Sequence, residues 1–380
     1  MYLENLIRDQ RTVSMVQLKD FKDDEKWEEV CEKYGSIFHS LEWMNIIEDV
    51  FGVKKVLFGI FEGESLIGIL PLFKWKKVFK FLMSPLHGSA TPYGGPVLIE
   101  GKYKSSIYSD IIKELDSFME SEDIDFLQIQ FRPEISYDEF ELQSRLKYDF
   151  SYTSKYHLED RYTVILDIDD KKELWNSLDK SCRNAIRKAE KFGVIISEEN
   201  SEEFFNEYYR MAKDVYAKYS QPPEIPLTMY LRVYEKLKPR QKIRIMSARY
   251  NEKIVAGAIF LLHRDNIYYW DGVSYRNFNL VAPNNLIQWK LIEWASAHNY
   301  RVYDMLGAGI PKIGRFKLSF GGKIIPRLQL RKYNSFIVKA SAKFYEKTFP
   351  VYRKWRYKIA RAIDLNAQFP EVFQSYINRY

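Results

Sequence analysis

The stretch Tyr303–Gly322, YDMLGAGIPKIGRFKLSFGG, combines an apolar strand pattern, a turn punctuated by glycines, and a Phe316-Lys317 pair ahead of two further glycines. Functional side chains concentrate where a rigid strand ends in a loop. The stretch therefore predicts a strand that ends in a flexible loop. Lys317 is the cation of this loop that stands among apolar neighbours.

The composition of the chain is that of a globular protein. It has 380 residues, of which 46% are hydrophobic and 29% charged. This length suits two domains of roughly 150–190 residues, each able to bury a core. No apolar run approaches the roughly 18–20 residues that a membrane span requires, and residues 1–15 lack the pattern of a signal peptide. The sequence therefore predicts a cytoplasmic protein.

Cysteine and histidine usage excludes several classes of site. Cys31 and Cys182 lie far apart in the chain and the five histidines are scattered, so no spacing typical of metal ligands or redox pairs occurs. We expect both cysteines to be inert apolar residues, with no disulfide framework and no metal site.

Positive charge is concentrated near the C-terminus. Between Arg331 and Arg361 there are ten Lys or Arg residues and one acid, Glu346, interleaved with aromatic residues. Three interpretations are open: a helix that packs its aromatic side chains and leaves its lysines solvated, contact with an anionic membrane surface, or binding to nucleic acid.

Two parts of the sequence resemble each other. Val56–Phe73 and Ile245–Leu262 each read as a strand, a polar turn and a second strand containing glycine, which predicts two β-hairpins. Helical patterns precede each hairpin, and a further helix and strand follow it. We interpret this as a tandem duplication, although chance similarity between two hairpins is the alternative. The predicted fold is α+β, with domains at residues 1–155 and 156–330 that join between Phe150 and Asp160, and a basic helical extension at 331–380.

Periodicity predicts the individual elements. The first half should contain a helix at Ser40–Val50 capped by Ser40, strands at Lys54–Phe61, Ser65–Phe73 and Phe126–Phe131, and a helix at Tyr103–Ser121. The second half should contain strands at Tyr162–Ile168, Lys242–Tyr250, Lys253–His263, Asn266–Ser274 and Val302–Met305, a long helix Lys171–Phe192 ended by Gly193, and helices at Ser201–Tyr219, Thr228–Leu237 and Asn284–Asn299.

Two charged residues of the opening stretch are candidates for catalysis. Lys317 could stabilise the negative charge that develops on a carbonyl oxygen during acyl transfer, or it could be a solvated lysine at the edge of a loop. Asp304 could accept the proton of an attacking amine if burial raises its pKa. Alternatively, Asp304 pairs with Arg301 or Lys317, or bonds its own backbone in a turn.

Further candidates lie on a helix and on a strand. Lys180, Arg183, Arg187 and Lys191 share one helix face, and the two arginines could grip phosphate groups, although an ordinary solvated face has the same pattern. In the strand Tyr268–Asp271, either Tyr269 and Asp271 or Tyr268 and Trp270 should face a cleft, because side chains alternate along a strand. Core packing explains these aromatic residues equally well.

Together with Tyr93-Gly94-Gly95-Pro96 and the basic helix Trp175–Phe192, the opening stretch resembles the FemABX-like branch of the GNAT-related acyltransferases. This resemblance implies tandem GNAT-like domains and transfer of an acyl or aminoacyl group to an amine of a cell-envelope precursor. It also implies that Lys317 contacts the acceptor or supports the reacting carbonyl, and that Asp304 lies in the active cleft. The substrate-binding residues that it implies are Phe316, Arg183, Arg187, Tyr269, Asp271 and Trp43.

The chain departs from coenzyme-A-dependent GNAT enzymes at one junction. Those enzymes hold the pyrophosphate on bare backbone amides of a glycine-containing turn at a helix N-terminus. Tyr275–Leu280 reads YRNFNL and contains no glycine, so binding of acetyl-CoA in the usual manner is not expected. The resemblance implies aminoacyl-tRNA as the donor, with acyl-CoA or an acyl carrier as the alternative and no tightly bound cofactor.

The expected partners follow from the same reasoning. They are a small-molecule or lipid-linked amine acceptor, tRNA, and the inner membrane face through residues 331–361. A non-catalytic GNAT-like module that binds through its basic C-terminus is a third hypothesis.

Overall fold

The computed structural model describes residues 16–76, 78–86, 90–99, 105–133, 156–168 and 170–362. Within these residues the chain has an α+β architecture. Phe150–Lys155, where the join of the two domains was expected to begin, lies outside the described residues. The second half starts with a strand at Tyr156.

The strands are numbered in chain order and build one sheet. They are β1 Val16–Asp20, β2 Lys54–Glu62, β3 Ser65–Lys76, β4 Lys80–Ser84, β5 Val97–Leu98, β6 Phe126–Gln130, β7 Tyr156–Asp167, β8 Ile195–Glu198, β9 Ile243–Tyr250, β10 Lys253–His263, β11 Asn266–Ser274, β12 Val302–Gly307 and β13 Lys323–Tyr333. Their order across the sheet is β1-β2-β3-β4-β6-β13-β7-β12-β11-β10-β9-β8, and β5 pairs with β3.

The two halves of the sheet repeat one pattern. In the first half, β1 to β4 pair antiparallel and β4 then pairs in parallel with β6 across the helix Ser105–Ser121. In the second half, β8 to β11 pair antiparallel and β11 pairs in parallel with β12 across the helix Pro283–Ala297. The hairpins β2–β3 and β9–β10 are those that the sequence predicts. The expectation of tandem domains with mixed, mostly antiparallel sheets is thus confirmed.

β13 joins the two halves in the middle of the sheet. It pairs with β7 from Lys323 to Lys332 and with β6 from Gln329 to Tyr333. The strand continues three residues past Leu330, where the C-terminal extension was expected to start. The helix Phe336–Ala362 follows.

The other helices are Asp24–Tyr34 and Leu41–Phe51 in the first half, and Lys171–Ser177, Lys180–Lys191, Glu203–Ala217, Leu227–Leu237 and Pro311–Leu318 in the second. Local sequence explains several of their ends. Ser40 caps Leu41–Phe51 by accepting a hydrogen bond from the backbone N–H of Trp43, as predicted. Gly193 follows Lys180–Lys191 at a φ of +75°, a conformation that glycine adopts at little cost.

The expected long helix Lys171–Phe192 is wrong, because the chain forms two helices there. Leu178 and Asp179 have extended backbones, with ψ of 143° and 146°. Leu178 is buried, and the backbone N–H of Asp179 donates to the carbonyl of Ser319 at 2.9 Å. A contact with a distant segment therefore overrides the local helical pattern.

The hydrophobic core consists of three clusters. One packs the helix Ser105–Ser121 on the first half of the sheet, and one packs Lys180–Lys191 and Pro283–Ala297 on the second half. The third is shared, because the helices Asp24–Tyr34 and Leu41–Phe51 meet Glu203–Ala217 and Leu227–Leu237 there. Both halves are thus parts of one packed body. None of the helices in the described residues is long and apolar enough to cross a membrane.

Candidate active site

A fork between β11 and β12 forms the frame of the candidate site. The two parallel strands pair from Asn266↔Val302 to Tyr268↔Asp304 and not beyond. Past this point β11 runs on to Ser274, whereas β12 turns at Leu306, whose φ is +56°. In sheets with parallel strands, a crevice beyond the carboxyl ends of the paired region is a preferred place for ligands.

Lys317 lies on a helix beside this fork. The expectation of a loop at this point is wrong, because Pro311–Leu318 is helical and begins with Pro311, a residue suited to the first turn. The Lys317 side chain is only 6% exposed. Its Nζ donates to the carbonyls of Leu306 at 3.1 Å and Gly307 at 2.8 Å, and lies 5.6 Å from the ring centre of Tyr269. It is therefore not a solvated lysine.

The environment of Lys317 changes its acidity. Burial lowers its pKa from 10.5 to about 8, although the charges of Asp304 and Asp271 act in the opposite direction. The ammonium group is thus held in a water-poor place close to its titration point at neutral pH. Such an ammonium group can act either as a fixed cation or as a proton donor.

Asp304 is a connecting residue between the two halves. It is 2% exposed, and its carboxylate accepts hydrogen bonds from the Tyr93 hydroxyl at 3.0 Å, the Leu306 backbone N–H at 2.8 Å and the Thr163 hydroxyl. Burial raises its pKa, while these hydrogen bonds act to lower it. The bond to Leu306, two residues along, corresponds to the alternative of a turn-forming aspartate. Tyr93 of the Tyr-Gly-Gly-Pro motif reaches the site through this contact.

A β-bulge breaks the alternation that was expected along β11. The register with β10 shifts between Ile259 and Phe260, opposite Asp271 and Tyr269. As a result Trp270 and Asp271 both contact Tyr230: the rings of Trp270 and Tyr230 are 5.5 Å apart, and the Tyr230 hydroxyl donates to Asp271 at 2.5 Å. Side chains therefore do not alternate strictly along this strand. Neither expected pair, Tyr269 with Asp271 or Tyr268 with Trp270, matches the sides on which the side chains lie.

Asp271 and Tyr269 are both partly exposed. The Asp271 carboxylate also accepts from Tyr208 at 2.8 Å, and burial raises its pKa against these hydrogen bonds. Tyr269 stacks on Phe260 at 5.6 Å, on the side of Lys317. Lys317 thus lies beside Tyr269, and the charges of Asp271 and Asp304 both act on it.

The two arginines lie at the break between helices Lys171–Ser177 and Lys180–Lys191. The Arg183 guanidinium donates to the carbonyls of Asn176 at 3.1 Å, Trp175 at 3.4 Å and Leu178. Arg187 stands over the ring of Trp175, 5.3 Å from its centre. Arg183 therefore holds the end of the preceding helix, which the sequence pattern could not reveal.

Phe316 and Trp43 occupy different surroundings. Phe316 is partly buried and packs edge-on against Phe320 at 5.3 Å, next to Lys317. Trp43 is fully buried in the shared core, where its indole donates to Thr91 at 3.0 Å and its ring meets Trp270 at 5.7 Å. Trp43 reaches the site through Trp270 and Tyr230, and also through Phe38 and Tyr93.

The junction between β11 and the helix Pro283–Ala297 is a 3₁₀ turn, Arg276–Val281, followed by Ala282 at a φ of +49°. A polar cavity of about 580 Å³ lies beside it, lined by Asp214, Ala217, Lys218, Arg276, Asn277 and Asn279. No cluster of metal-ligating side chains occurs among the residues that the structure describes.

Several site residues were not predicted from the sequence. Thr163, Tyr208, Tyr230 and Arg327 contact site residues or neighbours of the Tyr-Gly-Gly-Pro motif, and Arg327 donates to the carbonyl of Pro92 and to Gln130. Tyr208 and Tyr230 follow helical spacing like core residues, so no local signal distinguishes them. Their partners are distant in sequence.

Comparison with known proteins supports the fold. Residues 176–317 match the family model described as an acetyltransferase (GNAT) domain, and Lys317 is the last residue of the match. No curated protein sequence matches the chain. The following three are among the solved structures that are similar along most of its length.

The first is FemX, with a TM-score of 0.64 at 12% identity over 86% of this chain and 98% of that one. The second is the C-terminal domain of a putative lysylphosphatidylglycerol synthetase from Agrobacterium fabrum, with a TM-score of 0.52 at 10% identity over 86% and 96%. The third is a tandem GNAT protein from the clavulanic acid biosynthesis pathway, with a TM-score of 0.50 at 9% identity over 84% and 98%.

At these low identities, the structural similarity establishes only the fold. The family model shows in addition that the second half is similar to a GNAT domain. The GNAT match ends at Lys317, beside the fork between β11 and β12, so it includes the candidate site. The repeated sheet pattern agrees with the similarity to a tandem GNAT protein. The chain therefore has a tandem GNAT-like fold similar to that of FemX, and its residues 176–317 match a GNAT acetyltransferase domain.

Proposed function

We propose that the protein transfers an aminoacyl group from aminoacyl-tRNA to a primary amine of a cell-envelope precursor. The observation that carries the proposal is Lys317, a buried ammonium held by two backbone carbonyls beside the fork of β11 and β12. The fold similarity to FemX is consistent with it.

In this reaction the acceptor amine attacks the ester carbonyl of the donor. A C–N bond forms, the ester C–O bond breaks, and the amine proton passes to the departing hydroxyl. Negative charge develops on the carbonyl oxygen in between, and a cation fixed in a water-poor site stabilises it. A lysine ammonium has three donors, and the Leu306 and Gly307 carbonyls accept from two of them. The third is directed to the substrate in our proposal.

Asp271 is our candidate for holding the acceptor amine. Asp271 is a partly exposed residue, whereas Asp304 is 2% exposed and its carboxylate accepts from three protein donors. The raised pKa of Asp271 also suits a group that takes a proton from an ammonium. In this assignment Tyr208 and Tyr230 orient Asp271, Tyr269 and Phe316 line the acceptor site, and Asp304 holds the turn on which Lys317 depends.

A second candidate donor is acyl-CoA. The cavity beside Arg276–Val281 contains Lys218 and Arg276, and two cations in a polar cavity suit a phosphate-bearing donor. The glycine-free turn favours aminoacyl-tRNA, because its side chains stand where the pyrophosphate would approach the backbone.

The test is transfer of a labelled amino acid from charged tRNA to an amine-bearing envelope peptide, compared with transfer from acyl-CoA. Lys317→Ala should lower turnover by about 100-fold or more. Lys317→Arg should restore only part of it, because the guanidinium is larger and planar. Lys312→Ala is the matched control, since Lys312 is an exposed lysine of the same helix. Turnover of Lys317→Ala close to that of Lys312→Ala would refute the assignment.

A further inference from the structure

The helix Phe336–Ala362 presents an apolar stripe to its surroundings. Its members are largely exposed: Ile337 (70%), Phe344 (69%), Val351 (68%) and Trp355 (59%). With 3.6 residues per turn, they lie within about 20° of one line along the helix. Val338, roughly 120° away from that line, is buried in the shared core. The stripe is therefore not the side on which the helix packs.

Lysines border this stripe. Lys343, Lys347 and Lys354 are exposed and lie roughly 60–100° to one side of the line. An apolar stripe bordered by lysines is the arrangement of helices that lie in the plane of a membrane–water interface. The helix also contains Pro350, so it need not be straight along its whole length.

An apolar groove adjoins the same helix. It encloses about 780 Å³ between the helix and the first half of the sheet, and its lining includes Val78, Phe79, Met83, Tyr333, Phe344 and Phe349. Val78, 88% exposed, and Phe344 belong both to this lining and to the outer surface. Its polar members include Ser341 and the pair Gln128 and Arg331, which is joined by a hydrogen bond of 3.1 Å. The groove therefore opens beside the exposed stripe, and Phe344 is part of both surfaces.

We propose that the stripe and its bordering lysines dock on a membrane of anionic phospholipid, with the end of one lipid hydrocarbon chain in the groove. Anionic headgroups pair with the lysines, and the acyl region receives Ile337, Phe344 and Trp355. Nucleic acid would satisfy the lysines but leave the aliphatic side chains in water, so the membrane fits better. The inference rests on the helix and the groove alone and is independent of the transfer reaction.

The first test is sedimentation of the full chain with vesicles. Phosphatidylcholine vesicles containing phosphatidylglycerol should bind it, and pure phosphatidylcholine vesicles should bind it at least tenfold more weakly. Phe344→Ser/Trp355→Ser should weaken binding tenfold or more, as should Lys347→Glu/Lys354→Glu. The controls Phe192→Ser/Tyr219→Ser and Lys22→Glu/Lys253→Glu change other exposed residues away from the helix and should bind like the wild type. Equal binding by stripe and control variants would overturn the proposal.

A second measurement locates the contact. Cys31 and Cys182 are both buried, so Phe344→Cys and Tyr219→Cys can each be labelled selectively with a polarity-sensitive fluorophore. Anionic vesicles should shift the emission of the label at position 344 to the blue and leave that at 219 unchanged. A shift at 344 with tRNA or with protein concentration, but not with vesicles, would replace the membrane by nucleic acid or by a second copy of the chain.

The groove is tested with dihexanoylphosphatidylglycerol below its micelle concentration. We expect calorimetry to detect binding to the wild type and to Val78→Thr. Val78→Glu should bind at least tenfold more weakly, because it places a negative charge at the mouth of the groove while Val78 itself is exposed. Equal affinity of the three proteins would exclude the groove as the chain-binding site.

Discussion

A lysine ammonium that is 6% exposed has lost most of its water, and the carbonyls of Leu306 and Gly307 replace only part of that hydration. The remaining deficit lowers the pKa of Lys317 to about 8. The charge is retained near neutrality because Asp304 and Asp271 lie close enough to favour it. An ammonium group that lacks part of its hydration interacts strongly with negative charge that develops beside it, which suits a role in stabilising that charge.

This acidity predicts a pH dependence of turnover. If the charged form of Lys317 acts, activity should decline as the pH rises through about 8, because the ammonium group loses its proton there. The acceptor amine also titrates, so the useful quantity is the ratio of wild-type to Lys317→Arg turnover, in which that titration cancels. The ratio should fall above about pH 8. A ratio that rises there would indicate that the neutral amine of Lys317 acts as a base.

The same shift predicts how stability depends on pH. The folded pKa of about 8 lies below the ordinary value of 10.5, so the unfolded chain binds more protons between these values. Stability relative to Lys317→Met should therefore rise as the pH increases from about 8 to 10.5, by on the order of 3 kcal/mol. Urea unfolding of both proteins across this range measures the difference, and a constant difference would contradict the buried-ammonium interpretation.

At the scale of elements, the fork depends on how β12 turns away from β11. Asp304 fixes that turn by accepting hydrogen bonds from Tyr93 of the first half, Thr163 of β7 and the backbone of Leu306. The carbonyls of Leu306 and Gly307 then point at Lys317. Asp304 therefore acts on the site by holding backbone in place.

Variants of Asp304 and of its partner Tyr93 can distinguish a structural role of Asp304 from a catalytic role. Asp304→Asn should lower stability by about 1–3 kcal/mol and Tyr93→Phe by about 1 kcal/mol, since each removes a partner from a buried hydrogen bond. Denaturant unfolding measures these losses, with Tyr162→Phe as an exposed control. If Asp304 positions the turn, turnover of both variants should fall moderately and to a similar extent. A loss of turnover that far exceeds the loss in Tyr93→Phe would instead make Asp304 the proton acceptor.

Local signals predicted the elements whose ends depend on neighbouring residues. Ser40 starts Leu41–Phe51, and the polar turns between β2 and β3 and between β9 and β10 set the hairpins. The break at Leu178–Asp179 was not predictable, because it depends on a bond to Ser319 far along the chain. The burial of Lys317 was predicted from its apolar neighbours, whereas the contacts of Tyr208 and Tyr230 with Asp271 depend on the bulge in β11. Contacts between distant residues are therefore what the sequence pattern misses.

At the scale of the whole molecule, the shared core joins the two halves energetically. Trp43 of the first half packs on Trp270 of the second, and Tyr268 packs on Phe38 at 5.2 Å. Glu42 and Arg240 add an ion pair of 3.2 Å across the same boundary. Unfolding of one half would expose core residues of the other half to water, and this cost couples the unfolding of the two halves.

We therefore expect one cooperative unfolding transition for the full chain, seen at the same denaturant concentration by circular dichroism and tryptophan fluorescence. Trp43→Ala should lower its free energy of unfolding by about 3–5 kcal/mol, because it leaves a cavity in the shared core. Trp355→Ala is the control, since Trp355 is exposed. Two separate transitions, with Trp43→Ala shifting only one, would show that the halves are independent.

The path of β13 has a consequence for how the protein is made on the ribosome. β6 is complete once residue 130 has been synthesised, yet its partner β13 at Gln329–Tyr333 follows about two hundred residues later. During that interval the nascent first half presents an open strand edge with buried-type side chains on both faces, and such edges invite pairing with other chains. The native chain seals this edge only after β13 has been synthesised. We therefore expect a higher yield of folded protein when nascent chains are kept apart, either by chaperones or by slow expression at low temperature.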